Sequence, residues 1–391
     1  MNIVLLPSPP FEEIGGVSTH VYMLAKGLRE LGHDVAVVPE NPPSCIRIPF
    51  IRLPEIIIGQ ANLYLSRRYR RWSEDAYYIA DALWKTKGKI DVLNIQNVQH
   101  VGMAKVLRCL TGCRLALTVH GYLTYEAESR NWCIIGDKTH QWLWGMEKIG
   151  YDQVDSIICV GRRAASYITQ FTAKTVTIIP NGLDTDIYKP SSEVASKKTN
   201  ILFAGLLQNA KGILDALQVI HILNSRSEMR ISLSVAGAGP QELAAKQYVL
   251  DNGLVDQVTF LGSLRKEKMP YFYRQGDILL FPSRQAGLSG KSEESSPYSV
   301  LEAMSSGLPI VAYRTSALEE HVQDGITGYL VAPDDVGALA DRVHALMADT
   351  NLLKRMGAAA RIHCVEKFSH IIMAQQYLKV YAEGATKDGS H

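Results

Sequence analysis

Short apolar runs alternate with amphipathic stretches along the 391 residues of this chain. The runs are rich in Val, Ile and Leu and are bounded by Gly, Pro or polar turns, which is typical of strands buried on both faces of a parallel sheet. Between the runs, apolar residues recur at helical spacing, as at Val21, Leu24 and Leu28 within Val17–Leu31. This alternation predicts consecutive βα units and an α/β fold.

The predicted strands form two series that are separated by a polar stretch. The first series is Asn2–Leu6, Asp34–Val38, Val92–Ile95, Leu115–His120, Ser156–Val160 and Thr175–Ile179. The second series is Ile201–Ala204, Ile231–Ala236, Val258–Leu261, Ile278–Phe281, Pro309–Ala312 and Gly328–Val331. Because a chain of this length exceeds one hydrophobic core, we predict two domains divided near Pro190, followed by a last helix at Ser369–Ala382. The default ligand site is a cleft between the domains, at the carboxyl ends of the strands.

Composition narrows the class of protein. Hydrophobic residues make up 47% and charged residues 20%, which excludes a disordered chain, and the net charge of +2 gives no argument for nucleic-acid binding. The six cysteines are scattered without the spacing of a zinc site, which favours free thiols in a reducing compartment. No apolar run approaches the ~20 residues that span a bilayer, and the chain runs directly into a predicted strand. We therefore expect a cytoplasmic protein.

Two glutamates, Glu294 and Glu302, flank a predicted helix start. Ser296 suits the N-cap and Pro297 suits the first helical position, where a missing N–H costs nothing. The free N–H groups beyond them and the positive end of the helix dipole favour an anion. An anion site between two carboxylates suits a ligand with phosphate and many hydroxyls, such as a nucleotide sugar. The simpler interpretation is an amphipathic helix that carries a glutamate.

Glycine turns follow the first strand of each series. Gly15 and Gly16 lie before the first helix, where backbone N–H groups can approach a ligand closely, although a tight turn without a ligand also explains the pair. Gly205 opens a loop that leads to Lys211, whose ammonium suits a diphosphate, and a solvated lysine is the alternative. The sequence has neither the dinucleotide-binding fingerprint nor a Walker P-loop at these turns.

Three further strand ends carry candidate contacts. Gly237 and Gly239 mark a turn without side chains that would obstruct a nucleotide. Ser263 and Leu264 follow the next strand and offer backbone groups to a base edge. His120 ends a strand of the first series, where it suits a sugar hydroxyl or a departing phosphate, although a lone histidine there is more often structural.

Arg67, Arg68, Arg70 and Arg71 form the densest basic cluster of the sequence, interleaved with aromatic residues. On a helix they would make a cationic face beside aromatic anchors, which suits an anionic membrane surface or a phosphorylated acceptor. A solvated surface helix is the alternative interpretation.

In their order along the chain, these motifs resemble the retaining glycosyltransferases of family 4, which share the GT-B fold of two Rossmann-like domains. The resemblance covers nearly the whole chain. The residues that carry it are Pro180-Asn181-Gly182-Leu183-Asp184, the Lys211 loop, Gly237-Ala238-Gly239-Pro240, the two glutamates, Gly307-Leu308-Pro309-Ile310-Val311-Ala312 and Asp324-Gly325 with Gly328.

The resemblance implies an organisation of the chain and a set of site residues. Residues 1–188, with a C-terminal helix 369–391 that crosses back, would bind the acceptor, and residues 189–368 would bind the nucleotide sugar. The implied catalytic residues are His120, Lys211 and Glu294. The implied donor-binding residues are Gly15, Gly16, Gly205, Lys211, Gly237, Gly239, Ser263, Leu264, Glu294, Ser295, Pro297, Tyr298, Ser299 and Glu302, with no metal and no cofactor. In this set Gly16 contacts phosphate, Glu294 holds the donor sugar and Glu302 holds the ribose.

The implied activity is retaining, metal-independent transfer of a hexose or N-acetylhexosamine to a hydroxyl of a glycan, lipid-linked or small-molecule acceptor. UDP-sugars are the favoured donors and GDP-mannose is the other candidate. The basic cluster would make peripheral contact with the inner membrane face. One departure is Leu206, where the family usually has arginine, and Arg265 or Lys266 would have to compensate. The alternatives are a nucleotide-sugar epimerase of the same fold and a non-catalytic sugar-nucleotide binder.

Overall fold

The computed structural model of the chain describes residues 1–7, 15–39, 63–121, 123–129, 133–191, 199–226, 231–284 and 296–383. The chain divides into two compact units. Unit 1 consists of Met1–Pro180 and Met373–His391, and unit 2 consists of Asn181–Ile372. The division falls ahead of the boundary predicted at 188/189, because Asn181 and Tyr188 hydrogen-bond to Ser296 and Glu302 of unit 2.

Unit 1 is built on a sheet of six parallel strands in the order β2-β1-β3-β4-β5-β6. The strands are β1 Asn2–Leu6, β2 Asp34–Val37, β3 Val92–Ile95, β4 Arg114–Val119, β5 Ser156–Cys159 and β6 Val176–Ile178. The helices are α1 Gly16–Glu30, α2 Leu63–Thr86, α3 Val101–Thr111, α4 Leu123–Ser129, α5 Lys138–Asp152 and α6 Arg162–Ile168.

Unit 2 is built on a second sheet of six parallel strands, in the order β12-β11-β10-β7-β8-β9. The strands are β7 Thr199–Ala204, β8 Ile231–Ala236, β9 Val258–Phe260, β10 Ile278–Phe281, β11 Ile310–Tyr313 and β12 Gly328–Val331. The helices are α7 Ile213–Arg226, α8 Glu242–Asp251, α9 Met269–Arg274, α10 Tyr298–Ser305, α11 Ser316–His321, α12 Val336–Ala348 and α13 Thr350–Phe368. The last helix, α14 His370–Glu383, belongs to unit 1 from Met373 onwards.

The central strands of both sheets are mostly apolar and buried, as expected where helices cover both faces of a parallel sheet. Ile3, Val4 and Leu5 of β1 are 0% exposed, and so are Ile278 and Leu280 of β10. All the predicted strands are observed, with bounds that differ by at most two residues. The prediction of two parallel-sheet α/β domains is therefore confirmed.

The strand order of each sheet reverses at one point, where the carboxyl ends of the strands leave room for a ligand. In unit 1 this switch point lies between β1 and β3, and in unit 2 it lies between β7 and β10. The candidate residues of the sequence follow these strands: the Gly15-Gly16 pair precedes α1, and Lys211 follows β7.

Candidate active site

The turn that carries Lys211 lies at the switch point of unit 2. It is a 3₁₀ turn that ends at Gly212, whose φ is 70°. The turn is fixed to the chain that leaves β10, because the Arg284 N–H donates to the Ala210 carbonyl at 2.8 Å. A Cβ on Gly212 would come within 2.1 Å of the Pro282 carbonyl oxygen, so this approach requires glycine. The half-buried Lys211 is thereby held beside the carboxyl ends of β7 and β10.

Arg284 is a second cation beside this turn, but its charge is already neutralised. Its guanidinium donates to Asp215 and lies 3.0 Å from Asp334 Oδ1. Asp215 is buried and also accepts from the Tyr313 hydroxyl at 2.8 Å. Two carboxylates on one guanidinium leave no positive charge for a diphosphate. Arg284 is therefore no substitute for the arginine that is replaced by Leu206, a residue that is 59% exposed.

The glycines after β7 and β8 allow two loops to touch. A Cβ on Gly237 would lie 1.9 Å from the Gly205 carbonyl oxygen, and a Cβ on Gly239 would lie 2.5 Å from the Leu207 carbonyl oxygen. The Gly237 N–H in turn donates to the Gly262 carbonyl at 2.8 Å. Backbone packing accounts for these glycines, and their contact with a donor stays a prediction.

The segment after β9 carries the two residues predicted to meet a base. Ser263 is exposed and Leu264 is half-buried. Of the two cations that follow, Arg265 is exposed and Lys266 is half-buried. Burial lowers the pKa of Lys266, and the nearby carboxylate of Glu302 opposes that shift. Lys266 therefore places its charge near Glu302.

Helix α10 begins at Tyr298, and Pro297 occupies the N-cap position with φ −74° and ψ 119°. The prediction of Ser296 as N-cap was wrong because its hydroxyl has other partners. The Asn181 N–H donates to Ser296 Oγ at 3.2 Å, and the same oxygen lies 2.9 Å from His321 Nε2. The first-turn N–H groups of a helix point towards its start, and Pro297 makes no side-chain cap to them.

A small pocket opens beside this helix start. It is lined by Phe281, Ser283, Arg284, Pro297, Thr315, Ala317 and Leu318. Ser283 and Arg284 also donate to the Ala210 carbonyl next to Lys211. The Lys211 turn and the start of α10 therefore share neighbours. Glu294 and Ser295 lie outside the residues that the structure describes.

Glu302, in the second turn of α10, is held by two tyrosines. The Tyr188 hydroxyl donates to Oε1 and the Tyr273 hydroxyl donates to Oε2, each at 3.0 Å. Burial raises the pKa of Glu302 to about 7, against the opposing effect of the two hydroxyl groups. Tyr298 and Ser299 are half-buried on the first turn of the same helix. The Tyr298 hydroxyl is buried without a hydrogen-bond partner in the described part of the chain.

His120 follows β4 and belongs to a polar network inside unit 1. Its Nε2 lies 2.7 Å from Gln96 Oε1, at the carboxyl end of β3. Its ring meets the His20 ring edge-on, with 4.7 Å between the centroids. Burial, and then the charge of His20, hold the pKa of His120 well below its ordinary value. His120 is therefore a neutral imidazole at neutral pH.

The start of α1 is open at Gly15 and Gly16. Gly15 occupies the N-cap in an extended conformation and makes no side-chain cap. Both glycines are exposed, and a Cβ at either position would meet no atom within 4 Å among the described residues. Among the residues that the structure describes, packing therefore does not explain this pair.

The sequence-based predictions missed Gln96, Tyr188 and Tyr273. Gln96 is a polar residue directly after a buried strand, which is a usable sequence signal for a site residue. The two tyrosines are separated from Glu302 by 114 and 29 positions along the chain. No local pattern in the sequence links them to it.

A carboxylate pair with the spacing of many metal sites, Asp184-Thr185-Asp186, is used for a turn. Asp184 is buried, and its Oδ1 accepts from the Asp186 N–H at 2.9 Å. The Asp186 carboxylate lies 3.1 Å from Lys189 Nζ. Among the described residues, no group of three or more His, Cys, Asp or Glu side chains could hold a metal ion.

The predicted membrane contact lies in α2. The side chains of Arg67, Arg68, Arg70 and Arg71 are outside the described part of the structure. None of the described helices has the length and apolar character needed to cross a bilayer.

Two protein families match consecutive parts of the chain. The family described as "Glycosyltransferase Family 4" matches residues 14–187, and the family described as "Glycosyl transferases group 1" matches residues 184–363. The first match ends within a few residues of the division between the two units.

Individual proteins match over the full length. A phosphatidyl-myo-inositol mannosyltransferase of Mycobacterium leprae is 25% identical over 399 residues, which is 99% of this chain and 98% of that protein. An MMP alpha-(1->4)-mannosyltransferase of Mycolicibacterium hassiacum is 26% identical over 99% of both chains. The crystal structure of Anabaena HepE in complex with UDP and glucose has a TM-score of 0.69 at 16% identity, over 98% of this chain and 99% of that one. The structural likeness shows the GT-B fold.

Proposed function

Because the chain belongs to family 4 of the glycosyltransferases and is a hexosyltransferase, we propose that it moves a hexose or N-acetylhexosamine from a nucleoside diphosphate sugar to a hydroxyl group, with retention of configuration. One observation carries the proposal: the Lys211 turn and the start of α10 share Ser283 and Arg284 as neighbours. An ammonium and the N–H groups of a helix start that Pro297 does not cap, at one place, suit the diphosphate of a donor.

In this proposal Glu302 holds the ribose of the donor. Each carboxylate oxygen accepts one tyrosine hydroxyl and keeps a further lone pair, so ribose hydroxyls can bind without displacing Tyr188 or Tyr273. The two tyrosines fix the carboxylate in place before the donor arrives, which lowers the entropy cost of binding. Glu294 would hold the hydroxyls of the donor sugar.

The proposed chemistry takes place on one face of the donor sugar. The bond from the anomeric carbon to the phosphate oxygen breaks, and the bond to the acceptor oxygen forms on the same face. The acceptor proton passes to the departing phosphate oxygen, and no covalent glycosyl-enzyme intermediate forms. Lys211 and the N–H groups at the start of α10 stabilise the charge that develops on the diphosphate, in place of a divalent ion. His120 would bind a hydroxyl of the transferred sugar as a neutral imidazole.

The relatives and the basic cluster support the choice of donor and acceptor in this proposal. HepE is in complex with UDP and glucose, which supports a UDP-sugar, and the two mannosyltransferase relatives support GDP-mannose as the second donor to test. A glycan, lipid-linked or small-molecule hydroxyl is the proposed acceptor, with polysaccharide biosynthesis as the setting. Peripheral contact of Arg67, Arg68, Arg70 and Arg71 with an anionic membrane belongs to the same proposal.

A donor panel tests the proposal. The purified chain is incubated with UDP-glucose, UDP-N-acetylglucosamine or GDP-mannose, and thermal stabilisation is measured before transfer to candidate hydroxyl acceptors. One donor should raise the unfolding midpoint and release nucleoside diphosphate when an acceptor is present. Lys211→Met should weaken donor binding by roughly 10- to 100-fold, because a hydrogen bond to a charged group is worth about 1.5–3 kcal/mol.

Lys354→Met is the matched control, because Lys354 is an exposed lysine of unit 2 on α13, outside the site. It should bind the donor as the wild type does. Absence of donor binding in the whole panel, or equal binding by Lys211→Met and wild type, would contradict the proposal. Isomerisation of the sugar without an acceptor would identify an epimerase instead. The relatives reported above are transferases, so that alternative has no support from them.

A further inference from the structure

A chain of buried hydrogen bonds links His120 to helix α14 within unit 1. Gln96 Nε2 donates to Asn94 Oδ1 at 2.7 Å, and Asn94 Nδ2 donates to the Tyr381 hydroxyl at 2.6 Å. The Thr118 hydroxyl also donates to Asn94 Oδ1, at 3.0 Å. Asn94 and Thr118 are 0% exposed and Gln96 is 4% exposed, so these groups have no access to water as an alternative partner.

The amide of Asn94 determines the direction of every bond in this chain. Its oxygen accepts from both Thr118 and Gln96, and its nitrogen donates to Tyr381. An amide oxygen only accepts and an amide nitrogen only donates. Gln96 must therefore present its NH₂ group to Asn94, and its Oε1 is directed to His120.

The direction of these bonds determines which nitrogen of His120 carries hydrogen. Gln96 Oε1 can only accept, so His120 Nε2, at 2.7 Å, must donate. In a neutral imidazole one nitrogen is a donor and the other an acceptor. His120 is neutral because desolvation, and then the charge of His20, hold its pKa well below the ordinary value. Nδ1 of His120 therefore carries the lone pair.

We propose that Gln96 and Asn94 are positioning residues that hold His120 as its Nε2–H tautomer and so present Nδ1 as an acceptor for a substrate hydroxyl. The hydrogen on Nε2 follows from the hydrogen bonds and the bare Nδ1 also from the neutral state of the ring, whereas the role of Nδ1 rests on the proposed glycosyl transfer. A group that fixes the tautomer of a histidine decides which nitrogen meets the substrate and what that nitrogen can do.

The tautomer can be measured in the full-length wild-type protein, with ¹⁵N label in its 11 histidines. Long-range ¹H–¹⁵N correlation spectra separate a protonated ring nitrogen from a bare one, and the signals that disappear in His120→Gln belong to His120. We expect one neutral form with hydrogen on Nε2. Hydrogen on Nδ1, which a reversed Asn94 amide would produce, or a mixture of both forms, would overturn the proposal.

Gln96→Met tests the positioning role, because it removes the amide oxygen that pairs with His120 and the amide nitrogen that pairs with Asn94. The volume of the side chain stays similar. His120 should become a mixture of tautomers, and kcat should fall by at least ~10-fold while KM for the donor stays within about twofold. The matched control is Tyr151→Phe, which deletes a different buried hydrogen bond of unit 1, 3.0 Å from the Tyr151 hydroxyl to Glu147. It should leave the His120 spectrum and kcat unchanged.

A single Nε2–H form in Gln96→Met would show that Gln96 does not set the tautomer, and the proposal would fail. The spectra test the positioning role of Gln96 and Asn94, and the transfer assay tests the proposed glycosyl transfer, so the two proposals can fail separately. Loss of the expected wild-type tautomer removes only the positioning role. Wild-type protein without transfer activity on any donor removes the proposed function and leaves the tautomer assignment standing.

Discussion

The ionisation of Glu302 can be tested by one substitution that changes little else. Glu302→Gln keeps the volume of the side chain and an oxygen that accepts from a tyrosine hydroxyl, but it removes the titrating group. Burial raises the pKa of Glu302 from 4.5 to about 7. The substitution should therefore change how the stability of the protein depends on pH.

The magnitude follows from proton linkage. The folded protein holds the proton on Glu302 up to about pH 7, whereas the unfolded chain releases it near 4.5. Between these values the folded state binds more protons, so the free energy of unfolding falls as pH rises, by about 1.4 kcal/mol per pH unit. The stability that this proton contributes is fully present below the pKa of Glu302 in the unfolded chain. It is lost as pH rises through the pKa in the folded protein. From about pH 5.5 to about pH 8 the loss is roughly 2 kcal/mol.

The assay is urea unfolding of the wild type and Glu302→Gln across this pH range, followed by far-UV circular dichroism. Other groups contribute to the pH dependence of both proteins, so the informative quantity is the difference between the two at each pH. From the low end to the high end of the pH range, the free energy of unfolding of the variant should rise by roughly 2 kcal/mol relative to that of the wild type. All five tryptophans lie in the sequence of unit 1, so their fluorescence follows unit 1 separately.

Glu267→Gln is the matched control, because it removes one carboxylate from an exposed position of unit 2. The difference in the free energy of unfolding between this variant and the wild type should stay constant over the pH range. A constant difference for Glu302→Gln as well would refute the reasoning, because it would show that Glu302 does not hold a proton in the folded protein near neutral pH.

Two further substitutions test the backbone and the charge of the donor site. Gly237→Ala should destabilise the protein by roughly 2 kcal/mol or more, measured by urea unfolding, because φ is 149° and a Cβ would lie 1.9 Å from the Gly205 carbonyl oxygen. Gly145→Ala, where a Cβ meets no atom within 4 Å in the described structure, should unfold no more readily than the wild type. Leu206→Arg should lower KM for the donor by about 10-fold, since a charge-assisted contact is worth about 1.5 kcal/mol, and Leu250→Arg, another exposed leucine of unit 2, should not change it. A donor KM that both variants share with the wild type would show that the position of Leu206 does not face the diphosphate.

The strands could be predicted from the sequence because most of them are buried on both faces. Such strands appear as continuous apolar runs, and each of them, from Asn2–Leu6 to Gly328–Val331, was found within two residues. Glycine positions after β7 and β8 were also recognisable, because close backbone approach leaves a local signature in the chain.

The start of α10 was misplaced by one residue because tertiary contacts override local propensity. Ser296 is a good N-cap by type, yet its hydroxyl is used by Asn181 and His321, which lie 115 and 25 positions away along the chain. The partners of Glu302 and of His120 were missed for the same reason. Tyr381 reaches Asn94 across 287 positions, and no local pattern in the sequence reports such a contact.

The central claim is that unit 2 binds the diphosphate of a sugar donor between the Lys211 turn and the start of α10. A crystal structure of the wild-type chain with the nucleoside diphosphate identified by the donor panel measures this directly. The account predicts phosphate oxygens within hydrogen-bond distance of Lys211 Nζ and the Tyr298 and Ser299 N–H groups, with the ribose hydroxyls on Glu302. A nucleotide bound elsewhere, or one whose diphosphate leaves both Lys211 and the start of α10 without contact, would contradict it.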